Sequence, residues 1–169
     1  MTDKNVTWKD LIPSVLAGFF FVTQMIYGFF LVDNTRINLV EYLGVGVFIL
    51  SGIFGMAPVI MFPRKGGVEK GKSFVHTKKL VDTGIYSIVR HPQYSAFILW
   101  AIAAMLLFQN WVVILLGIPV VLLTYLDMTR EDKRLITKFG KSYKKYMKKV
   151  PRANFVWGII RYIIRESTK

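Results

Sequence analysis

The chain contains no cysteine, which excludes disulfides, thiol nucleophiles and thiolate-bound metals. It has two histidines, His76 and His91. Neither belongs to a His-Glu-x-x-His pattern or a carboxylate cluster, so no metal site is expected. No Ser-His-Asp arrangement, Walker loop or dinucleotide fingerprint can be read either. Acids are scarce, with 10 Asp and Glu against 23 Lys and Arg and a net charge of +13. Charge of either sign is missing from Leu11 to Val32 and from Tyr42 to Phe62. It is also missing from His91 to Leu126, where Gln109-Asn110-Trp111 interrupts an apolar stretch.

The 169 residues are 53% hydrophobic, with a mean hydropathy of +0.41. The first two uncharged runs reach the roughly 20 residues that a helix needs to cross the hydrocarbon core. The polar break at 109–111 divides the third into two spans joined by an interfacial turn. Two full spans plus a turn want roughly 40 residues, so the fourth helix must run past Asp127 or the pair must be short. The first run is too long for a signal-peptide core, and Leu31-Val32-Asp33-Asn34 is no small-residue cleavage site, so it reads as a retained span. The expected fold is an all-α integral membrane protein with about four transmembrane helices and a cytoplasmic amphipathic helix near the C-terminus. It forms a single domain over 1–169. Two spans occupy 1–62, a loop, hairpin and motif helix occupy 63–152, and a tail occupies 153–169.

Charge placement sets the expected orientation. Before residue 64 the only cations are Lys4, Lys9 and Arg36, whereas 63–90 carries seven and the stretch from Arg130 carries thirteen. Basic loops stay cytoplasmic, which places both termini and the 63–90 loop on that side of a multi-pass protein. Beside four spans, the basic tail suits anionic lipid headgroups as partners, and no nucleic-acid partner is expected.

Within the second run Ser51 and Gly55 lie four apart on one face, and Gly44 and Gly46 add small residues, a pattern that lets membrane helices approach closely. Pro63, Gly66-Gly67 and Gly71, with lysines between, mark 63–82 as a loop long enough to be functional. Pro92 suits the first turn of the third span. Leu135, Phe139, Tyr143, Tyr146 and Val150 recur at spacings of three and four, which predicts an amphipathic helix from about 129 to 149 in the headgroup layer, ended by Pro151. The apolar residues 155–164 are too few to span and are expected in the interface or against the bundle.

Two polar clusters stand out. Arg90-His91-Pro92-Gln93-Tyr94 opens the third span, where Arg and Tyr commonly anchor at the interface. Asp127 and Arg130-Glu131-Asp132 lie near the end of the fourth, where the helix dipole disfavours acids and a partner is therefore expected. The hairpin would bring Arg90 and Glu131 to the same side, either as a bare ion pair or as a ligand site.

Leu80-Val81-x-x-Gly84-x-Tyr86-x-x-x-Arg90-His91-Pro92-x-Tyr94 resembles the signature of the isoprenylcysteine carboxyl methyltransferases and the related phospholipid methyltransferases. So does the sequel Glu131-Asp132-x-x-Leu135-x-x-x-Phe139-Gly140-x-x-Tyr143-x-x-Tyr146, with Val150-Pro151. The match covers roughly 78–152. The resemblance implies methyl transfer from S-adenosylmethionine to a lipid or lipidated acceptor within the membrane. It also implies a cofactor site of Lys78, Lys79, Leu80, Val81, Tyr86, His91, Pro92, Gln93, Tyr94 and Glu131. Arg90, His91 and Glu131 would position the reactants, and no covalent protein nucleophile is needed. The chain departs from the pattern in three places. Gly71 stands where the family's first cofactor-binding side chain would be. Lys78 stands where prenylcysteine enzymes often have His. Asp127 stands where the eukaryotic enzymes carry a substrate-binding Arg. An acid there attracts an amine and repels a carboxylate, so Asp127 and Arg130 are candidate acceptor residues. Pairing of Asp127 with Arg130 or Lys133 is the plainer alternative. Two other readings remain: an NADPH-dependent reductase related to the C-terminal part of the sterol reductases, or a non-enzymatic lipid-binding membrane protein.

Overall fold

In a computed structural model the protein is helical, and no strand occurs among the described residues, which are 8–32, 37–65 and 79–168. Helix α1 spans Trp8–Leu31, α2 Asn38–Lys65, α3 Pro92–Phe108, α4 Trp111–Phe139, α5 Lys141–Lys149 and α6 Phe155–Ser167, with a 3-10 turn at Gly84–Ser87. Three helices are long and apolar enough to cross a membrane, through Leu11–Leu31, Asn38–Met61 and Trp111–Phe139. The fourth, α3, is apolar from Ala96 onward but has 17 residues in all, the lower end of what a span needs. The protein is thus a multi-pass, all-α integral membrane protein. The tight fit of two spans between 91 and 126 is resolved on both sides: α3 is short and α4 runs 29 residues, well past Asp127.

The chain forms two compact units, and α2, α3 and α4 each contribute to both. Unit 1 comprises 1–49 and 97–129. Its helices meet through small residues. Gly44 lies where an added Cβ would come within 3.0 Å of the Leu107 backbone, and at Gly28 and Gly117 a side chain would collide with Phe108 and with Met105 and Gln24. Gly46, also read as a packing residue, faces open space. Gln24 is fully buried, and its amide donates to the carbonyls of Ala101 and Val113, both at 3.1 Å, so one side chain joins α1 to α3 and α4. The turn between α3 and α4 falls at the polar break. Gln109 adopts a positive φ of 47°. Its side chain exchanges two hydrogen bonds with the backbone of Ile37. Asn110 accepts from the Val112 amide at 2.9 Å, capping α4.

Unit 2 comprises 50–96 and 130–169. Here Gly55 abuts Ala96, which bears out the small-residue face. Two expectations are corrected. Residues 63–65 are the last turn of α2 rather than loop, since helices of this kind tolerate proline. The helix expected over 129–149 is two helices, α4 and α5, broken at Gly140 with φ 57° and ψ −127°, a conformation suited to glycine. The periodic residues still form one cluster, in which Tyr143, Tyr146 and Val150 are buried against Leu80, Leu135, Ile136, Phe139 and Met147. The rings of these tyrosines are packed inside the protein rather than turned outward. Helix α6 is capped by Asn154, which accepts from Trp157 N at 2.9 Å, and it lies against 84–88. Gly158 leaves no room for a side chain beside the Ile88 carbonyl, and Phe155 meets Phe54 at 5.5 Å between ring centroids.

Two substitutions test these contacts. Gln24→Leu keeps the volume and removes both interhelical bonds, and should lower stability by about 1 kcal/mol. An unchanged thermal midpoint in detergent would refute that role. Gly158→Val should lower the midpoint by more, because the obstacle is backbone and cannot swing aside.

Candidate functional site

The residues at the mouth of α3 and those at the end of α4 are joined by one carboxylate. Asp132, with 4% of its side chain exposed, receives four donors. Arg90 NH1 lies 2.9 Å from Oδ1, His91 Nε2 2.8 Å and the Tyr143 hydroxyl 2.6 Å. Arg152 Nε lies 2.8 Å from Oδ2. A buried charge is tolerable when it is paired and fully hydrogen-bonded, and here both oxygens are engaged. Asp132 accepts at both oxygens, and as the acceptor toward His91 it faces a proton on Nε2. Burial pushes the Tyr143 hydroxyl well above the usual phenol range, and the adjoining Asp132 adds to the effect. Tyr143 therefore remains a donor.

Backbone bonds complete the frame. The amides of Arg90 and His91 donate to the carbonyls of Pro151 and Arg152, at 3.0 and 3.3 Å. The Tyr146 hydroxyl, also raised by burial, donates to the Tyr86 carbonyl at 2.6 Å. Arg165 NH2 donates to the Ser87 carbonyl at 2.7 Å. Gly84, with φ 63°, starts the 3-10 turn in a conformation that a side chain would strain.

Most of the residues expected at the cofactor site gather in unit 2. Val81, Tyr86, His91 and Pro92 are buried, Leu80 and Tyr94 are half-buried, and Lys79 and Gln93 are exposed. Tyr94 stands edge-on to the His91 ring at 5.8 Å. Lys78, His76 and Gly71 lie outside the described residues. Glu131 is present in the same unit, but it is not the partner of Arg90. The two differ in direction because successive helical residues point about 100° apart, so Asp132 turns to Arg90 while Glu131 takes Arg134 as a bidentate partner at 2.6 and 2.8 Å. The acceptor candidates are divided. Arg130 is exposed in unit 2, and Asp127 is buried in unit 1, where Ser14 Oγ donates to it at 2.6 Å. Sequence reasoning missed Asp132 as the hub and Arg152 altogether. The acidic doublet was a usable signal for the first. Nothing in the spacing pointed to the second.

The donor set suits a sulfonium-bearing amino acid with an adenosine. Glu131 and Arg134 present one charge of each sign, as a zwitterionic amino acid end requires. The half-buried Leu80 and Tyr94 offer apolar and aromatic surface. Arg90 Nε is buried without an acceptor among the described residues, a donor still to be satisfied.

Residues 39–142 match the phospholipid methyltransferase family, and the chain belongs to it. It is also similar to protein-S-isoprenylcysteine O-methyltransferases. With that of Schizosaccharomyces pombe it shares 40% identity over 94 residues, 50% of this chain and 39% of the relative. With that of Saccharomyces cerevisiae it shares 42% over 89 residues, 47% and 37% of the two chains. With form B of Arabidopsis thaliana it shares 28% over 110 residues, 58% and 56%. The matched stretch thus spans between about two-fifths and just over half of these relatives' own length. No solved structure matches.

Asp132→Asn should destabilise the protein by about 3–5 kcal/mol, since it leaves buried cations without their counter-charge. Tyr143→Phe, which removes one donor, should cost about 1–2 kcal/mol. Denaturant unfolding of the two variants should rank them in that order. The reverse order would remove Asp132 from the centre of the frame.

Proposed function

We propose that the protein is an integral membrane S-adenosylmethionine-dependent methyltransferase that acts on a lipid-borne acceptor at the cytoplasmic face. The observation that carries this reading is the meeting of the two motif segments at Asp132 within a chain of this family. Charge placement supports the orientation, with both termini cytoplasmic.

In this reading the cofactor is held by Lys78, Lys79, Leu80, Val81, Tyr86, His91, Pro92, Gln93, Tyr94 and Glu131. When bound, S-adenosylmethionine supplies a methyl group on a sulfonium centre. Glu131 takes the ammonium of its amino acid end. Leu80 and Val81 cover the adenine face, and Tyr86 and Tyr94 border the ribose. Transfer is an in-line displacement, so the protein contributes position and exclusion of water rather than a covalent partner. Arg90 and His91, fixed by Asp132, hold that position.

The relatives' names favour the carboxylate of a prenylated cysteine as acceptor. A second reading, an amine-bearing phospholipid, rests on Asp127, an acid where an arginine would suit a carboxylate. Labelled cofactor offered with a prenylcysteine analogue and with phosphatidylethanolamine separates the two. Label in the first alone supports the carboxylate, and label in the lipid supports the amine.

S-adenosylmethionine, and not NADPH, should raise the thermal midpoint of the purified protein. Protection by NADPH alone would reassign it to the reductases, and protection by neither would favour a non-enzymatic lipid binder. Glu131→Gln should weaken cofactor binding at least tenfold, the scale of a lost charge-assisted hydrogen bond. Unchanged calorimetric affinity would exclude Glu131 from the site.

A further inference from the structure

Lys148 and Lys149, at the end of α5, line a cleft together with Trp157, Arg161, Ile164 and Arg165 of α6. Four of its six lining residues are cationic, but its walls are apolar, formed by Trp157, Ile164 and the aliphatic stems of the basic side chains, so the charged ends belong to its rim. The guanidiniums are held in place by carbonyls rather than carboxylates. Arg161 NH1 donates to Lys148 O at 3.2 Å. Arg165 donates through Nε to Arg161 O at 3.2 Å, through NH1 to Lys149 O at 3.4 Å and through NH2 to Ser87 O. Carbonyls orient a guanidinium without cancelling its charge. The pairs of Asp132 and Glu131 with Arg90, His91, Arg152 and Arg134 leave these four cations out. Arg161 also lies over the Trp157 ring at 5.5 Å, a contact that spends none of its five donors.

The helix that supplies two of these cations carries an apolar face beside them and ends in Glu166 and Ser167. Val156, Ile159, Ile160, Ile163 and Ile164 are each between 42% and 60% exposed. An amphipathic helix with a basic edge, a tryptophan and an exposed isoleucine face fits the boundary between headgroups and acyl chains. The isoleucines argue against a nucleic acid or an acidic protein, neither of which would cover them.

We propose that the cationic rim of this cleft binds the phosphate of an anionic glycerophospholipid. Lys148, Lys149 and Arg161 contact the phosphate oxygens, and the isoleucine face of α6 lies along the acyl chains. The site is separate from the cofactor residues, and its existence does not depend on methyl transfer.

The test uses the purified full chain in an uncharged detergent, with phosphatidylglycerol, phosphatidylcholine or inorganic phosphate added in separate arms. Phosphatidylglycerol should produce a saturable rise in thermal midpoint of roughly 3–5 °C. Phosphatidylcholine and inorganic phosphate should produce little. The variant K148Q/K149Q/R161Q should lose most of the shift. K141Q/K144Q/K145Q, which removes the same charge from elsewhere on α5, should keep it. Equal loss in both variants would mean diffuse attraction and would overturn the cleft. An equal shift with inorganic phosphate would overturn the lipid as occupant, and no shift with phosphatidylglycerol would overturn the site. Should the triple variant fail to fold, K148Q alone, at an exposed position, should lose part of the shift, and a full shift would count against the proposal.

Discussion

A carboxylate removed from water must find compensation from its surroundings or lose its charge. Asp132 finds it in Arg90, His91, Tyr143 and Arg152. Those partners come from three places: Arg90 and His91 from the approach to α3, Tyr143 from α5 and Arg152 from the segment after α5. None of these pieces is long enough to fix itself. The 3-10 turn has four residues and α5 has nine, below the length at which an isolated helix persists in water. Their order comes from a shared ionic centre and from the tyrosine cluster beneath it. The arrangement is also demanding, because Arg90, His91 and Tyr143 are buried against the same acceptor, so its loss leaves three buried donors facing nothing.

Unit 1 is held together by other means. Its helices expose isoleucine, phenylalanine and leucine along their outer faces, as lipid-facing helices do, so burial of apolar surface drives little of their association. Close approach at Gly28, Gly44 and Gly117 and the two bonds of Gln24 take its place. Two physical regimes therefore operate in one chain: van der Waals fit among uncharged helices in unit 1, and charge compensation in unit 2.

The features legible in the sequence were those that depend on local chemistry. Uncharged runs located the long helices, Gln109-Asn110 the hairpin turn, Pro92 the start of α3, and the three-and-four spacing of Leu135 to Val150 a common buried face. What could not be read depends on direction. Glu131 and Asp132 are adjacent in sequence and chemically alike, and only the phase of α4 decides which one reaches Arg90. Gly140 looks like any glycine in a helical pattern until its φ is known. Arg152 follows Pro151 without any periodicity, so its bond to Asp132 arises from the fold of a turn and not from spacing. The apolar stretch 155–164 is amphipathic, but its docking on Ile88 rests on the absence of a side chain at Gly158.

The segment from Tyr86 to His91 is secured at four points by its main chain: the carbonyls of Tyr86 and Ser87 and the amides of Arg90 and His91. A segment gripped by its backbone leaves the exposed positions that flank it without a structural task. Asp82 and Gln93 can then be varied with little cost to the scaffold. In the proposed function, those flanks are the positions to randomise when a different ligand is wanted. The grips themselves, Tyr146, Arg165 and the 150–152 strand of chain, should be left alone.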